Sequence, residues 1–184
     1  MKKINFRPII AISTFAVIVI LFASCSGGQQ EQADQHEDHD QTELTVYGGN
    51  ITFSDENLQK AFQHYIHLKD ALVNSDAEEA RSVSEMLAQS LESLEGSAEL
   101  VSHAELISNT DDLDIQREAF YPLSDGFTEL IKNTPPESGQ VYIKNCPMAF
   151  DNEGAYWLAA ESEINNPYFG DAMLRCGSVT GVIE

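Results

Sequence analysis

From Asp55 to Lys132 apolar residues recur every three or four positions, the spacing of a helix with one buried face. Leu58, Phe62, Tyr65, Leu68 and Leu72 make the first stripe, with Ser54 as its expected N-cap. Asp76-Ala-Glu-Glu79 opens a second helix with a cap residue and an acid three positions on. Its stripe is Ala80, Val83, Leu87, Leu91 and Leu94, and Gly96 is placed to end it. A short third helix runs from about Ala98 to Ser108, with Leu100, Ala104 and Ile107 inward. A fourth follows Thr110-Asp111-Asp112, whose acids suit a helix N-terminus, and carries Leu113, Phe120, Leu123, Phe127 and Leu130. Pro122 and Gly126 interrupt it and predict a kink or two pieces. Short connections imply antiparallel neighbours. Beyond Pro135-Pro136 the helical period stops. Val141-Tyr142-Ile143 reads as a short strand, and the remainder is rich in turn residues. The predicted fold is mainly α, an antiparallel four-helix bundle followed by an irregular C-terminal segment of one short strand and turns.

The N-terminus follows a different pattern. Lys2, Lys3 and Arg7 precede an apolar run from Ile9 to Ala23, broken only by Ser13 and Thr14. Fifteen residues fall short of the roughly 20 that cross a bilayer as a helix, and they fit the core of a secretory signal. Leu21-Phe22-Ala23-Ser24-Cys25 resembles a bacterial lipobox, although Phe22 is unusual at its place. That resemblance implies cleavage before Cys25 and lipidation of its thiol. An uncleaved anchor is the alternative, and either places the rest of the chain outside the cytoplasm, where there is no ATP and disulfides persist. Residues 25–43 are polar and acidic and are expected to be a disordered tether. The expected organisation is a lipoprotein signal at 1–24, the tether at 25–43 and a folded unit at 44–184. The location is the cell envelope, on a membrane (the outer one being the expectation), facing the periplasm or the surface.

Charge narrows the partners. The chain has 30 acids against 10 bases, a net charge of −20. A chain beginning at Cys25 keeps 7 bases against 30 acids, a net charge of −23. Such a surface repels phosphate backbones, which excludes nucleic acid. It repels anionic lipid too, so membrane attachment has to be covalent. Cations or a basic partner suit it.

The candidate chemistry lies in the last third. Cys146-Pro147-Met148 is followed after 30 residues by Cys176, within Met173-Leu-Arg-Cys176. Cys146 and Met148 lie two apart in a segment that Pro147 is expected to hold extended, and Met173 and Cys176 share a face if they sit on a helical turn. Two thiols and two thioethers form a soft donor set that selects copper(I), silver(I) or a similar ion. Zinc asks for Cys or His at all four places. Tyr156, Trp157, Tyr168 and Phe169 would keep water out. Equally, the two cysteines of an exported domain can form a disulfide whose loop stabilises the fold by about 3–4 kcal/mol. A third reading joins the two, with reversible oxidation switching metal binding. His103 could pack in the third helix or reach this site. His64 and His67 share a helix face that reads as half polar, which makes them surface histidines before ligands. His36 and His39 could catch a metal weakly but read as part of a solvated linker.

Several segments together are similar to one family. Cys146-Pro-Met148, Gly154-Ala-Tyr-Trp157 and Asn166-Pro-Tyr-Phe-Gly-Asp-Ala-Met-Leu-Arg-Cys-Gly177 resemble a domain family of formally unknown function. It occurs in exported lipoproteins and at the C-terminus of periplasmic adaptors of RND-type copper/silver efflux pumps. Tyr65-Ile-His-Leu-Lys69-Asp-Ala-Leu72-Val-Asn-Ser-Asp76 and Gln116-Arg117-Glu-Ala-Phe120 with Leu123-Ser124 resemble its helix motifs. The resemblance spans about Leu58 to Val179. It implies handling of Cu(I) or Ag(I), with an efflux adaptor or another periplasmic copper protein as partner. It points to Cys146, Met148, Met173 and Cys176, the residues that donor softness also selects. The adaptor's other parts are missing here, which leaves a tethered carrier or sink.

An enzyme is not expected. There is no Cys-x-x-Cys with a βαβ pattern for thiol redox catalysis and no Gly-x-Ser-x-Gly for hydrolysis. The competing function is a structural or interaction module with a permanent Cys146–Cys176 disulfide.

Overall fold

Asp55 and Asp76, not Ser54, begin the first two helices. Asp55 accepts from the backbone N–H groups of Asn57 and Leu58, and Asp76 from that of Glu79. These observations come from a computed structural model that describes residues 47–184. The expected signal at 1–24, the lipid acceptor Cys25, the tether at 25–43 and its two histidines lie outside those residues.

Four helices follow in order: α1 (Glu56–Val73), α2 (Ala77–Glu92), α3 (Ala98–Ser108) and α4 (Leu113–Asn133). Successive helices pack on one another, and the predicted stripes lie inside. Phe62, Tyr65, Leu68, Leu72, Val83, Leu87, Leu91, Phe120, Leu123 and Phe127 have no exposed surface. Each large apolar side chain so buried contributes roughly 1.5–3 kcal/mol. Gly96 adopts φ +81° after α2, and the Ser97 hydroxyl caps that end by donating to the carbonyls of Leu91 and Leu94.

Two helical expectations are corrected. α4 is one helix of 21 residues with Pro122 inside it, so of the two alternatives the division into two pieces is overturned. Gly126 has another use: a Cβ there would lie 2.7 Å from Leu100 Cδ2, so its absence lets α3 approach α4. His64 and His67 do not form a surface pair. His64 is buried, and His67 stacks on Tyr47 at 3.7 Å and meets Glu79 at 2.7 Å.

The C-terminal segment is more regular than predicted. It holds three strands: β1 (Val141–Cys146), β2 (Ala155–Ala159) and β3 (Ser178–Ile183). They form an antiparallel sheet in the order β2-β1-β3. Cys146 pairs with Ala155, Lys144 with Trp157 and Asn145 with Ser178, and a bulge lies between Ile143 and Lys144 in the β1–β3 ladder. β2 was missed because four of its five residues are buried, which removes the alternation that marks a strand.

Helices and sheet are joined by polar groups as well as by apolar contact. The Tyr65 ring stacks on Phe127 at 4.5 Å and on Phe120 at 5.5 Å. Its hydroxyl lies 2.6 Å from Ser124 Oγ and accepts from the Leu158 N–H of β2 at 3.0 Å. Nearby, Lys69 of α1 and Lys144 of β1 are 1% and 0% exposed, so their ammonium groups need a counter-charge. Both meet Glu161, at 2.9 and 3.3 Å. Lys69 also meets Asp70, and Lys144 donates to the Glu163 carbonyl. Burial pushes the Glu161 carboxyl up, but the two ammonium groups outweigh it and hold the group below its ordinary value.

A group depressed in this way stabilises the fold above its unfolded pKa, about 4.3, and loses that contribution as pH falls through the folded value. Glu161→Gln removes the carboxylate that both buried ammonium groups share, leaving Lys69 with Asp70 and Lys144 with the Glu163 carbonyl, and should cost about 3 kcal/mol near neutral pH. Denaturant melts from pH 7 to acid should show this loss. The variant's stability should also fall less steeply than that of the parent below the ordinary carboxylate range.

Candidate metal centre

The two cysteines meet. Cys146 closes β1 and is fully buried; Cys176 sits just before β3 and is half-buried. No S–S bond joins them, yet their Sγ atoms lie 2.6 Å apart, closer than non-bonded sulfurs pack and longer than a disulfide bond. The neighbouring Cys146 thiol, then burial, pushes the Cys176 thiol above its ordinary value. The Met148 backbone amide, hydrogen-bonded to the same sulfur, pulls it back in part.

The methionines flank this pair from two turns. The chain is extended through Cys146 and turns at Pro147, so Met148 has helical angles (φ −96°, ψ −8°) and is 50% exposed. Met173 follows the 3₁₀ turn Gly170–Ala172 and lies in a bend, at φ −147° and ψ 53°, neither helical nor extended. Its carbonyl accepts from the Cys176 N–H at 3.0 Å, which makes Met173 to Cys176 a tight turn rather than a helical face.

The turn after Met148 is unusual. Phe150, Asp151 and Asn152 take φ of 49°, 56° and 72°, and Gly154 takes 83°. Left-handed backbone costs a non-glycine residue roughly 1–2 kcal/mol. Packing holds it in place: Phe150 stacks on Tyr121 at 5.1 Å and meets Tyr168 edge-on at 5.4 Å.

Asn166 organises the other side. It is fully buried, and its backbone and side chain close the loop together. Its amide Nδ2 donates to the Cys176 carbonyl at 2.8 Å, and its Oδ1 accepts from the Tyr168 N–H at 2.8 Å. Its backbone N–H donates to Leu174, and its carbonyl accepts from Gly170. Arg117 of α4 fastens this loop to the helices, donating to the carbonyls of Pro167 and Leu72 and to Ser75 Oγ. Tyr168 packs on Phe120 and Trp157 and donates to the Tyr156 carbonyl. Trp157 in turn lies against Gly177, where a Cβ would come within 2.9 Å of the indole ring and 2.8 Å of the Asn145 carbonyl. Gly177, at φ +138°, is therefore the residue that brings Cys176 to Cys146.

Sequence reading selected the sulfur residues and missed these fasteners. The Asn166-Pro167 pair carried a turn signal, and Lys69 and Arg117 stood only within the segments that carry the family resemblance, while nothing in the sequence singled out Lys144 or Glu161. His103 lies on α3, half-buried, with its Nδ1 unpartnered. It does not join the cysteines: among the described residues no three His, Cys, Asp or Glu side chains form a metal-sized group. Two thiols and two thioethers are a different donor set. The sulfur spacing leaves no room for an ion between the cysteines, so seating one requires them to part.

Asn166→Ala leaves the Cys176 carbonyl and the Tyr168 N–H without their partners. It should cost about 2–3 kcal/mol in a denaturant melt and speed the reaction of Cys176 with a thiol reagent.

No helix among the described residues is long and apolar enough to cross a membrane. No curated protein and no solved structure matches the chain. Residues 61–139, which end before β1 and so exclude both cysteines, match the model of a family described as a protein of unknown function, DUF3347.

Proposed function

We propose that this protein is an exported, lipid-anchored carrier or sink for a soft metal ion, most simply Cu(I) or Ag(I). Cys146 and Cys176 would hold the ion, and Met148 and Met173 would complete the set. The observation that carries the reading is the meeting of two cysteines 30 residues apart in the chain, each next to a turn bearing a methionine. Thiolate and thioether donors favour soft monovalent ions. One buried thiol and one half-buried thiol suit release by ligand exchange, because an acceptor's sulfur can reach Cys176 first. The acidic surface would concentrate cations, and attachment through Cys25 would keep the domain near a membrane partner such as an RND-type efflux adaptor or another periplasmic copper protein. No catalytic role is proposed.

The same thiol contact favours a second reading, an interaction module closed by a Cys146–Cys176 disulfide. Closure of that loop would add about 3–4 kcal/mol. The two readings respond differently at the methionines. Leucine at 148 and 173 preserves volume, which in a packing role costs less than about 1.5 kcal/mol.

An anaerobic Cu(I) titration of the reduced protein against a chromogenic chelator separates the readings. One tightly bound equivalent is expected, absent in Cys146→Ser or Cys176→Ser and weakened by Met148→Leu with Met173→Leu. His64→Ala, His67→Ala and His103→Ala should bind as the parent does. No competition by the fully reduced parent overturns the metal reading in favour of the disulfide-closed module.

A further inference from the structure

Two adjoining grooves are lined by α4. The first, about 700 Å³, lies between α4 and the sheet, with Asp125 and Glu129 on the helix side and Tyr156 on the other. The second, about 510 Å³, lies between α4 and the start of α3, with Glu95, Glu99 and Pro122 at its rim. They adjoin at Asp125 and Gly126, which line both. Leu100 of α3 packs over Gly126, where a Cβ would lie 2.7 Å from its Cδ2, and forms part of the second groove's wall. Tyr156 is 45% exposed although its strand neighbours are buried, and its ring is left as apolar surface in the first groove.

The electrostatics of this surface are one-sided. Asp125 is half-buried, and burial followed by the nearby Glu129 raises its carboxyl above the ordinary value. Lys132 is the cation of the first groove, and it is engaged by Glu129 at 2.7 Å. The second groove has no basic residue in its lining. Residues 47–184 hold 24 acids against 7 bases, a net charge of −17, which opposes a second copy of this chain or an anionic lipid surface.

We infer that the double groove along α4 is a docking surface for a Lys/Arg-bearing amphipathic segment of a partner protein. Its cationic side chains would meet Glu95, Glu99 and Asp125, and its apolar side chains would lie on Tyr156 and Pro122. This rests on the groove geometry and charge, not on the sulfur site, so it stands or falls separately from metal binding.

The test uses the full-length protein and two 15-residue probe peptides, one alternating leucine with lysine and one alternating leucine with glutamate. Binding is followed by fluorescence anisotropy, with sedimentation to report self-association. The lysine peptide should bind and the glutamate peptide should not, with affinity falling as salt rises from about 0.05 M to about 0.3 M. Asp125→Asn with Glu95→Gln should weaken binding at least fivefold. Glu85→Gln with Glu105→Gln removes the same charge from exposed sites outside both grooves and should change it less than twofold. Circular dichroism melts establish that each variant is folded. Equal weakening by the two pairs would reduce the effect to net charge and overturn the groove assignment. Absence of lysine-peptide binding, or self-association through α4, would overturn the inference as well.

Discussion

A buried phenol joins the two parts of this fold. Tyr65 stacks between Phe120 and Phe127, and its hydroxyl meets Ser124 of α4 and the Leu158 amide of β2. A strand at the edge of a sheet must satisfy its outward N–H groups or expose them. Here a helix supplies the acceptor, so the sheet has a defined seat on the bundle. Burial of this aromatic also requires its hydroxyl to be partnered, which fixes position as well as contributing apolar area. The Lys69–Glu161–Lys144 cluster and Arg117 add a second and third fixed point around the same seam.

The sulfur pair depends on that seam. Cys146 is set by the β1–β2 ladder, and Cys176 by a loop that Asn166 closes and Arg117 ties to α1 and α4. Neither cysteine is held by its neighbours in sequence alone. The segments that carried the family resemblance, around Tyr65, Arg117 and Asn166, are brought together here by hydrogen bonds and ring contacts.

The helices were legible because each buries one face and so writes a 3.6-residue period into the sequence. Leu58 to Leu72 and Ala80 to Leu91 show it directly. The sheet was only partly legible. β2 is buried except at Tyr156 and lost its alternation, while β3 is mostly exposed and lacked a clear apolar face. Donor chemistry picked out the four sulfur residues, yet spacing assigned the methionines the wrong local backbone: Met148 sits in a turn, and Met173 in a bend that leads into a tight turn. The buried lysines were illegible because a charge paired across the fold looks, in sequence, like a charge in water. Glu161 lies 92 positions from Lys69, and nothing local to either marks the pairing.

β3 lies at the outer edge of the sheet, with Ser178 to Thr180 exposed and little side-chain burial along it. Strands of this kind belong to the least protected part of a fold and open without global unfolding. Fraying of β3 frees the chain next to Cys176 and leaves Cys146 in the central strand, paired with β2. The two sulfurs thus differ in tempo as well as in exposure. Amide hydrogen exchange at Val179 and Val182 would be fast and at Lys144 slow, and the rate at which the pair separates would be set by the edge strand rather than by the helices.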